Sequence, residues 1–139
     1  MVDVGHKPVV RRRAVAEARL TTTAEAARAL YDGRLPKGDA AAVARVAGIA
    51  GAKRAPDLVA LCHPLPLDSV SVDVQVTPSD GEVRVRCEAL ASARTGVEME
   101  ALTGAAVGAL NVYDMLKAID PEVTIEVRLI EKTKDAPPT

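Results

Sequence analysis

Phenylalanine and tryptophan are absent from this chain, and tyrosine occurs only as Tyr31 and Tyr113. A core without these rings must be assembled from Val, Ala, Leu and Ile, and a flat substrate ring finds no stock of aromatic side chains to stack on. Cysteine is nearly as scarce. Cys62 and Cys87 make no disulfide framework and fit a reducing, cytoplasmic compartment. With His6 and His63 as the only imidazoles, no paired metal-ligand spacing exists, so no metal site is expected. The formal net charge of −1 supplies no basic surface for nucleic acid or for an anionic membrane. The N-terminus lacks an apolar signal core, and no apolar run approaches the roughly 18 residues of a membrane helix.

What is present is a chain of 139 residues, 48% hydrophobic, long enough to bury the core of one domain. Val9, Val10, Val15 and Leu20 mark a strand from about Pro8 to Leu20. Thr21 to Thr23 offer N-cap chemistry for a helix carrying Ala24, Ala27, Leu30 and Tyr31, closed by Gly33. Asp39 caps a second helix through about Ala52, whose apolar stripe is Val43, Val46, Ala47 and Ala50. Pro56 is expected to stop helical growth.

Val70, Val72, Val74 and Val76 then alternate along one strand, and Val83, Val85, Cys87 and Ala89 along the next, with Thr77 to Gly81 as the hairpin loop. An Ala-rich helix from about Val97 to Ile119 follows, then a strand with Val123, Ile125, Val127 and Leu129. Residues 133–139 read as a flexible tail. The order predicts an α+β domain spanning 1–139: a ferredoxin-like antiparallel sheet with helices packed on one face.

Two places attract chemistry. Leu61-Cys62-His63-Pro64-Leu65-Pro66-Leu67 is a proline-braced, non-helical segment that presents its side chains at little entropic cost. Cys62 as a small buried hydrophobe and His63 as a core-edge residue is the competing account. Neighbours in an extended chain point to opposite sides, which argues against a Cys62/His63 nucleophilic dyad. The second place is the long helix, where Glu98, Glu100, Asp114 and Lys117 interrupt an apolar run. Asp114 and Lys117 share a face and can act as a general acid/base pair in a partly dry pocket, or simply as a helix-surface ion pair.

Fourteen residues separate Glu100 from Asp114, about 21 Å along a straight helix. One small-molecule site on one chain cannot use both ends. A symmetric oligomer can, by setting the start of one helix beside the end of another, so a homo-oligomer with sites at subunit contacts is expected.

Lys53-Arg54-Ala55-Pro56-Asp57-Leu58, Leu61-Cys62-His63-Pro64-Leu65, Thr95 to Thr103 (Thr-Gly-Val-Glu-Met-Glu-Ala-Leu-Thr) and Tyr113-Asp114-Met115-Leu116-Lys117-Ala118 resemble the MoaC family of molybdenum cofactor biosynthesis. Met1-Val2-Asp3-Val4 and the stretch from Asp32 to Asp39 extend the resemblance over nearly the whole chain. It implies a lyase that rearranges cyclised dihydroguanosine triphosphate to cyclic pyranopterin monophosphate with release of pyrophosphate. It also implies a homohexamer, a trimer of dimers with sites at the dimer interface. By the same resemblance Asp114 and Lys117 are catalytic with Lys37 assisting. Leu61, Cys62 and His63 contact substrate, Met99 and Glu100 bind it, and Glu98, Lys53 and Lys132 are further contacts. No resident cofactor is implied, although Mg²⁺ could accompany the triphosphate.

Lys37, Lys53, His63 and Arg11 to Arg13 could supply cations for the phosphates, the arginines reading otherwise as a solvated strand edge. Where the family continues Lys-Ser-Gly-Gly-Lys, this chain keeps only the first lysine, Lys132, and has no glycine afterwards. A non-catalytic, nucleotide-sensing oligomer is the alternative function, and the Asp114/Lys117 pair discriminates against it.

Overall fold

A computed structural model describes residues 1–135. Strand β1 (Val10–Thr21) is followed by helices α1 (Ala24–Tyr31), α2 (Ala40–Lys53) and the one-turn α3 (Ala55–Leu58). The hairpin β2 (Ser69–Thr77) and β3 (Glu82–Ala93) turns through a single 3₁₀ turn at Pro78–Asp80. Helix α4 (Glu98–Leu116) and strand β4 (Thr124–Lys134) complete the fold. All strand pairs are antiparallel in the order β2-β3-β1-β4, the ferredoxin-like arrangement expected.

Local signals set most boundaries. Thr23 accepts a hydrogen bond from the Ala26 amide and Asp39 one from Ala42, capping α1 and α2. Gly33 (φ 71°) takes the left-handed conformation that ends α1. Gly81 (φ 60°) closes the hairpin where a Cβ would lie 2.1 Å from the Thr22 carbonyl oxygen. Pro56 does not end structure here but opens α3, because a missing N–H costs nothing in the first turn of a helix.

Two further expectations fail. The apolar stripe of α2 does not face the core: Val43 and Val46 are exposed, while Ala44, Gly48, Gly51 and Ala52 are buried. The reason is distance. A Cβ on Gly48 would lie 2.9 Å from the Gly104 carbonyl, and one on Gly51 2.8 Å from Val107, so α2 meets α4 backbone to backbone and only small residues fit between them. The expected tail begins too early as well. Thr133 and Lys134 pair with Arg13 and Arg12 in the sheet, and the Asp135 amide still donates to the Arg11 carbonyl; the rest of that expected tail lies outside the described residues.

Between Val15 and Ala16 the β1–β4 register shifts: Ala16 faces Leu129 but Val15 faces Glu131, leaving Ile130 unpaired as a bulge. The bulge reverses the strand's phase, so Lys132 and Lys134 turn to the helix-covered face opposite Ala14 and Arg12. No helix of the described residues is long and apolar enough to cross a membrane.

The core is Ala14, Ala16, Ala18 and Leu20 of β1, Val83 to Ala93 in alternation on β3, and Ala101, Gly104, Ala105, Gly108, Ala109 and Val112 of α4. Gly104 is the tightest point: a Cβ there would meet the Cys87 Sγ at 2.5 Å and the Gly48 carbonyl at 3.0 Å. Gly104→Ala is therefore expected to lower stability by about 1–3 kcal/mol despite the better helix propensity of Ala, as read from urea unfolding. A variant as stable as the parent would show that α2 and α4 are not held at this distance.

Candidate active site

Helix α4 carries charged groups at both ends, and the rest of the chain delivers a different set of partners to each. At its C-terminal end, Asp114 Oδ1 lies 2.8 Å from the Lys117 Nζ and Oδ2 lies 2.8 Å from the Lys37 Nζ. Lys37 comes from the turn between α1 and α2 and donates also to the Asp114 carbonyl. Lys117, the last residue on the helical path, holds the three-residue spacing that puts it beside Asp114. One carboxylate thus clamps two ammonium groups.

The cluster is not buried as expected: Asp114 is 53% exposed and Lys117 50%. The polar side of α4 turns to solvent at this end instead of into a pocket of its own chain. Hydrogen bonds from Lys117 and then Lys37 hold the Asp114 carboxyl down at about 2. Asp114 reciprocally raises Lys117. In this state the lysines are proton donors and cationic anchors, and Asp114 is the hub that orients them.

At the N-terminal end the surroundings are drier. Glu100 is only 2% exposed, the Cys62 Sγ lies 3.6 Å from its Oε2, and Oε1 has no hydrogen-bond partner among the described residues. Burial raises the proton affinity of Glu100, against the opposing hydrogen bonds from its own backbone and from the Cys62 thiol, and the nearby Glu98 charge adds to the rise. Met99 is partly exposed beside it. His63, on the same loop as Cys62, makes a 2.6 Å hydrogen bond through Nε2 to the Val2 carbonyl. Glu98 folds back over Gly96, where a Cβ would lie 2.3 Å from its carboxylate, and its Oε1 is 3.6 Å from the Lys132 Nζ. Cys87 sits apart in the core, its thiol pushed up to about 12 chiefly by burial.

The structure therefore brings the expected residues together in two groups: Lys37, Asp114 and Lys117 in one, and Cys62, His63, Glu98, Met99, Glu100 and Lys132 around the other. Leu61 is exposed at the edge of the second group. Lys53, at the end of α2, makes no ion pair or hydrogen bond with either among the described residues.

Arg12, one of the three arginines read as possible phosphate cations or a solvated strand edge, lines an open cleft with Glu98, Lys132, Thr133 and Lys134, and of these the sequence reading passed over Lys134. Arg12 is no edge residue, since β1 runs between β3 and β4. It shares the phase of Ala14, Ala16 and Ala18, the one signal that could have turned it toward the site. Its guanidinium also donates to the Ala93 and Arg94 carbonyls, bracing the turn into α4. Nothing in the sequence pointed to the Val2 carbonyl.

A small α+β domain with paired lysines on one carboxylate, a desolvated carboxyl and a cationic cleft is equipped for proton transfer on an anionic small molecule. A model of the MoaC family matches residues 1–135. Similar proteins named cyclic pyranopterin monophosphate synthase come from Thermomicrobium roseum, 52% identical over 95% of this chain and 80% of that one, and from Pelobacter propionicus, 49% identical over 95% and 83%. A third, from Corynebacterium efficiens, is 50% identical over 96% and 85%. The chain belongs to the MoaC family.

The depression of Asp114 is a direct report of the clamp. Because Lys117 is the larger cause, Lys117→Ala should move the Asp114 titration up from about 2 toward the ordinary carboxylate range further than Lys37→Ala does. The clamp's contribution to stability is present at neutral pH and is lost as pH falls through about 2. Carboxyl ¹³C NMR titration checks the order, and an unmoved Asp114 in both variants would dissolve the cluster.

Proposed function

We propose that this chain is a cyclic pyranopterin monophosphate synthase, a lyase that converts cyclised dihydroguanosine triphosphate to cyclic pyranopterin monophosphate and pyrophosphate. The observation that carries this reading is the Lys37–Asp114–Lys117 cluster on a chain half identical to proteins of that name. Opening an aminal-like ring, closing a pyran and displacing pyrophosphate from the α-phosphorus need proton donors and acceptors and neutralisation of developing charge. In the last step a substrate hydroxyl loses its proton as its oxygen bonds phosphorus, and the bond to pyrophosphate breaks. Lys117 and Lys37 are the groups for the proton transfers and Asp114 orients them. Arg12, Lys132, Lys134, His63 and Lys53 are candidate phosphate contacts, Leu61, Met99 and Glu100 ring contacts. Mg²⁺, if it takes part, arrives with the triphosphate as part of the substrate.

The working site is composite. The two groups sit at opposite ends of α4, about 21 Å apart along a 1.5 Å-per-residue helix, beyond the reach of one ligand. A second copy that sets its α4 start beside this α4 end completes the constellation, and the expected assembly is a hexamer built as a trimer of such dimers. Val43 and Val46 on the outer face of α2 and Leu110 on α4 are exposed apolar residues suited to burial against another copy.

Purified protein given the cyclised triphosphate should release pyrophosphate, and Lys117→Ala should lose about 10²–10⁴-fold in kcat while folding normally. Turnover of that variant at the parental rate would refute the catalytic assignment, and a parent that binds without turnover would favour a nucleotide sensor. Composite sites make a further, separable claim. Mixing inactive Lys117→Ala with inactive His63→Ala and letting subunits exchange should restore about a quarter of parental activity, because half the dimers are mixed and each regains one intact site. No recovery after verified exchange would place both groups in one chain's site.

A further inference from the structure

Among the described residues the fold buries two charged side chains, Glu100 and Asp120, and the site described above accounts only for the first. Asp120 is 8% exposed, lies three residues beyond Lys117, and has no lysine or arginine paired with it among the described residues. A buried carboxylate without a cation is costly unless donors fill its oxygens. Here they do. Oδ2 accepts from the Thr22 hydroxyl at 2.7 Å, and Oδ1 accepts from the Glu122 amide at 3.0 Å. Hydrogen bonds from Thr22 and then Glu122, with the Thr23 amide adding to them, hold the Asp120 carboxyl below the usual carboxylate range against the opposing effect of burial.

These donors come from distant parts of the chain. Glu122 belongs to the loop that leaves α4, which is held a second time where the Tyr113 hydroxyl donates to the Pro121 carbonyl at 2.8 Å. Thr22 is the junction of β1 and α1: its amide donates to the Gly81 carbonyl at 2.7 Å, and its neighbour Thr23 caps α1 through the Ala26 amide. Asp120 thus ties the exit of α4 to the entry of α1. Beyond the other end of α1 comes Lys37. Helix α1 has eight residues, too few to hold a helix in water alone, so its direction depends on its tether and on its buried face of Ala26, Ala27, Ala29 and Leu30. The turn that follows carries the Lys37 Nζ to within 2.8 Å of Asp114. Lys117 needs no such help, because its three-residue spacing already sets it beside Asp114. One lysine of the clamp is therefore placed within a helix and the other through a tertiary link.

We propose that Asp120 is a positioning residue: by joining Thr22 to the exit loop of α4 it sets α1 so that Lys37 reaches Asp114, while Asp120 itself pairs with neither lysine. An apolar side chain could fill the same volume but could not take both donors, and the two elements would lose their common anchor. The consequence for turnover rests on the synthase reading; the link from Asp120 to Lys37 does not.

The link is tested without substrate, by competitive acetylation of the folded protein with acetic anhydride, following Lys37 and Lys117 on their own peptides by mass spectrometry. Asp120→Ala and Thr22→Val should each raise Lys37 labelling about threefold or more while Lys117 stays within about twofold of the parent. Thr22→Ser, which keeps the hydroxyl, should match the parent. In an Asp114→Ala background, where Lys37 has lost its acceptor, Asp120→Ala should add nothing. Unchanged Lys37 labelling, a parallel rise at Lys37 and Lys117, or serine no better than valine would overturn the link; should Asp120→Ala fail to fold, Thr22→Val decides. In turnover, Thr22→Val should lower kcat about fivefold with KM within about twofold of the parent, and Thr22→Ser should restore it. Parental kcat in Thr22→Val would overturn the effect on the reaction. A parent with no turnover at all would instead defeat the synthase reading, with the labelling result still deciding the link.

Discussion

Everything in this fold hangs on how closely α4 can approach what lies beneath and beside it. Gly104 sits over Cys87 and against the Gly48 carbonyl, Gly108 over Val85, and Val107 against Gly51, each at a distance a single methyl would violate. A core without Phe or Trp has thin side chains, and thin side chains let layers close up until backbone meets backbone. Contact of this kind fixes a helix along its axis and about it, because ridges of small residues have no slack to slide through. Helix α4 is therefore a rigid rod laid on the sheet, and whatever is mounted on its two ends keeps its spacing. The separation of the two groups of site residues follows from packing, and no side-chain motion within the chain can undo it.

The two ends differ chemically in the sense that helix electrostatics favours. Glu98 and Glu100 lie in the first turn of α4, where the aligned peptide dipoles favour negative charge, and Lys117 caps the last turn, where they favour positive charge. At the C-terminal end this agrees with the local pairing, and Asp114 stays ionised in water between two cations. At the N-terminal end it is overruled. Helix-end stabilisation is about 0.3–1 kcal/mol for exposed groups, and desolvation of an almost fully buried carboxyl outweighs it, so Glu100 is driven toward its neutral form. Two carboxyls on one helix thus have their proton affinities shifted in opposite directions, Glu100 by burial and Asp114 by its two lysine partners.

The sequence made the sheet almost fully legible, since period-two alternation of valines on β2 and β3 has one reading and Thr23, Asp39 and Gly33 punctuate the helices by direct hydrogen bonding or backbone conformation. The α2–α4 contact was not legible. Hydrophobicity favours Val43 and Val46 as the inward face, but contact distance selects Ala44, Gly48 and Gly51, and distance is a property of two helices together. The bulge at Ile130 was equally hidden. Extending the phase of Ile125, Val127 and Leu129 sends Lys132 to the wrong face, and only the pairing with β1 shows the reversal that brings Lys132 to Glu98. Asp114 and Lys117 were found from their spacing, yet their exposure was misjudged, because an apolar helix suggests burial and says nothing of where it ends relative to the sheet.

That exposure bears on how the cluster could work. A lysine whose proton affinity is raised by a neighbouring carboxylate is a good donor and a poor acceptor at neutral pH. Displacing pyrophosphate by a hydroxyl requires the reverse at some point in the cycle: a group that takes a proton. Lowering a lysine's proton affinity needs either removal of water or a second positive charge, and Lys37 already supplies the second while solvent remains. Covering the cluster supplies the first. Among the described residues nothing does it, because the dry half of the constellation is held at the far end of α4 by the packing that makes the helix rigid. On the composite-site reading, assembly does more than gather ligands for one substrate: it excludes water from Asp114, Lys37 and Lys117, and that desolvation opposes the rise in proton affinity that Asp114 causes at Lys117.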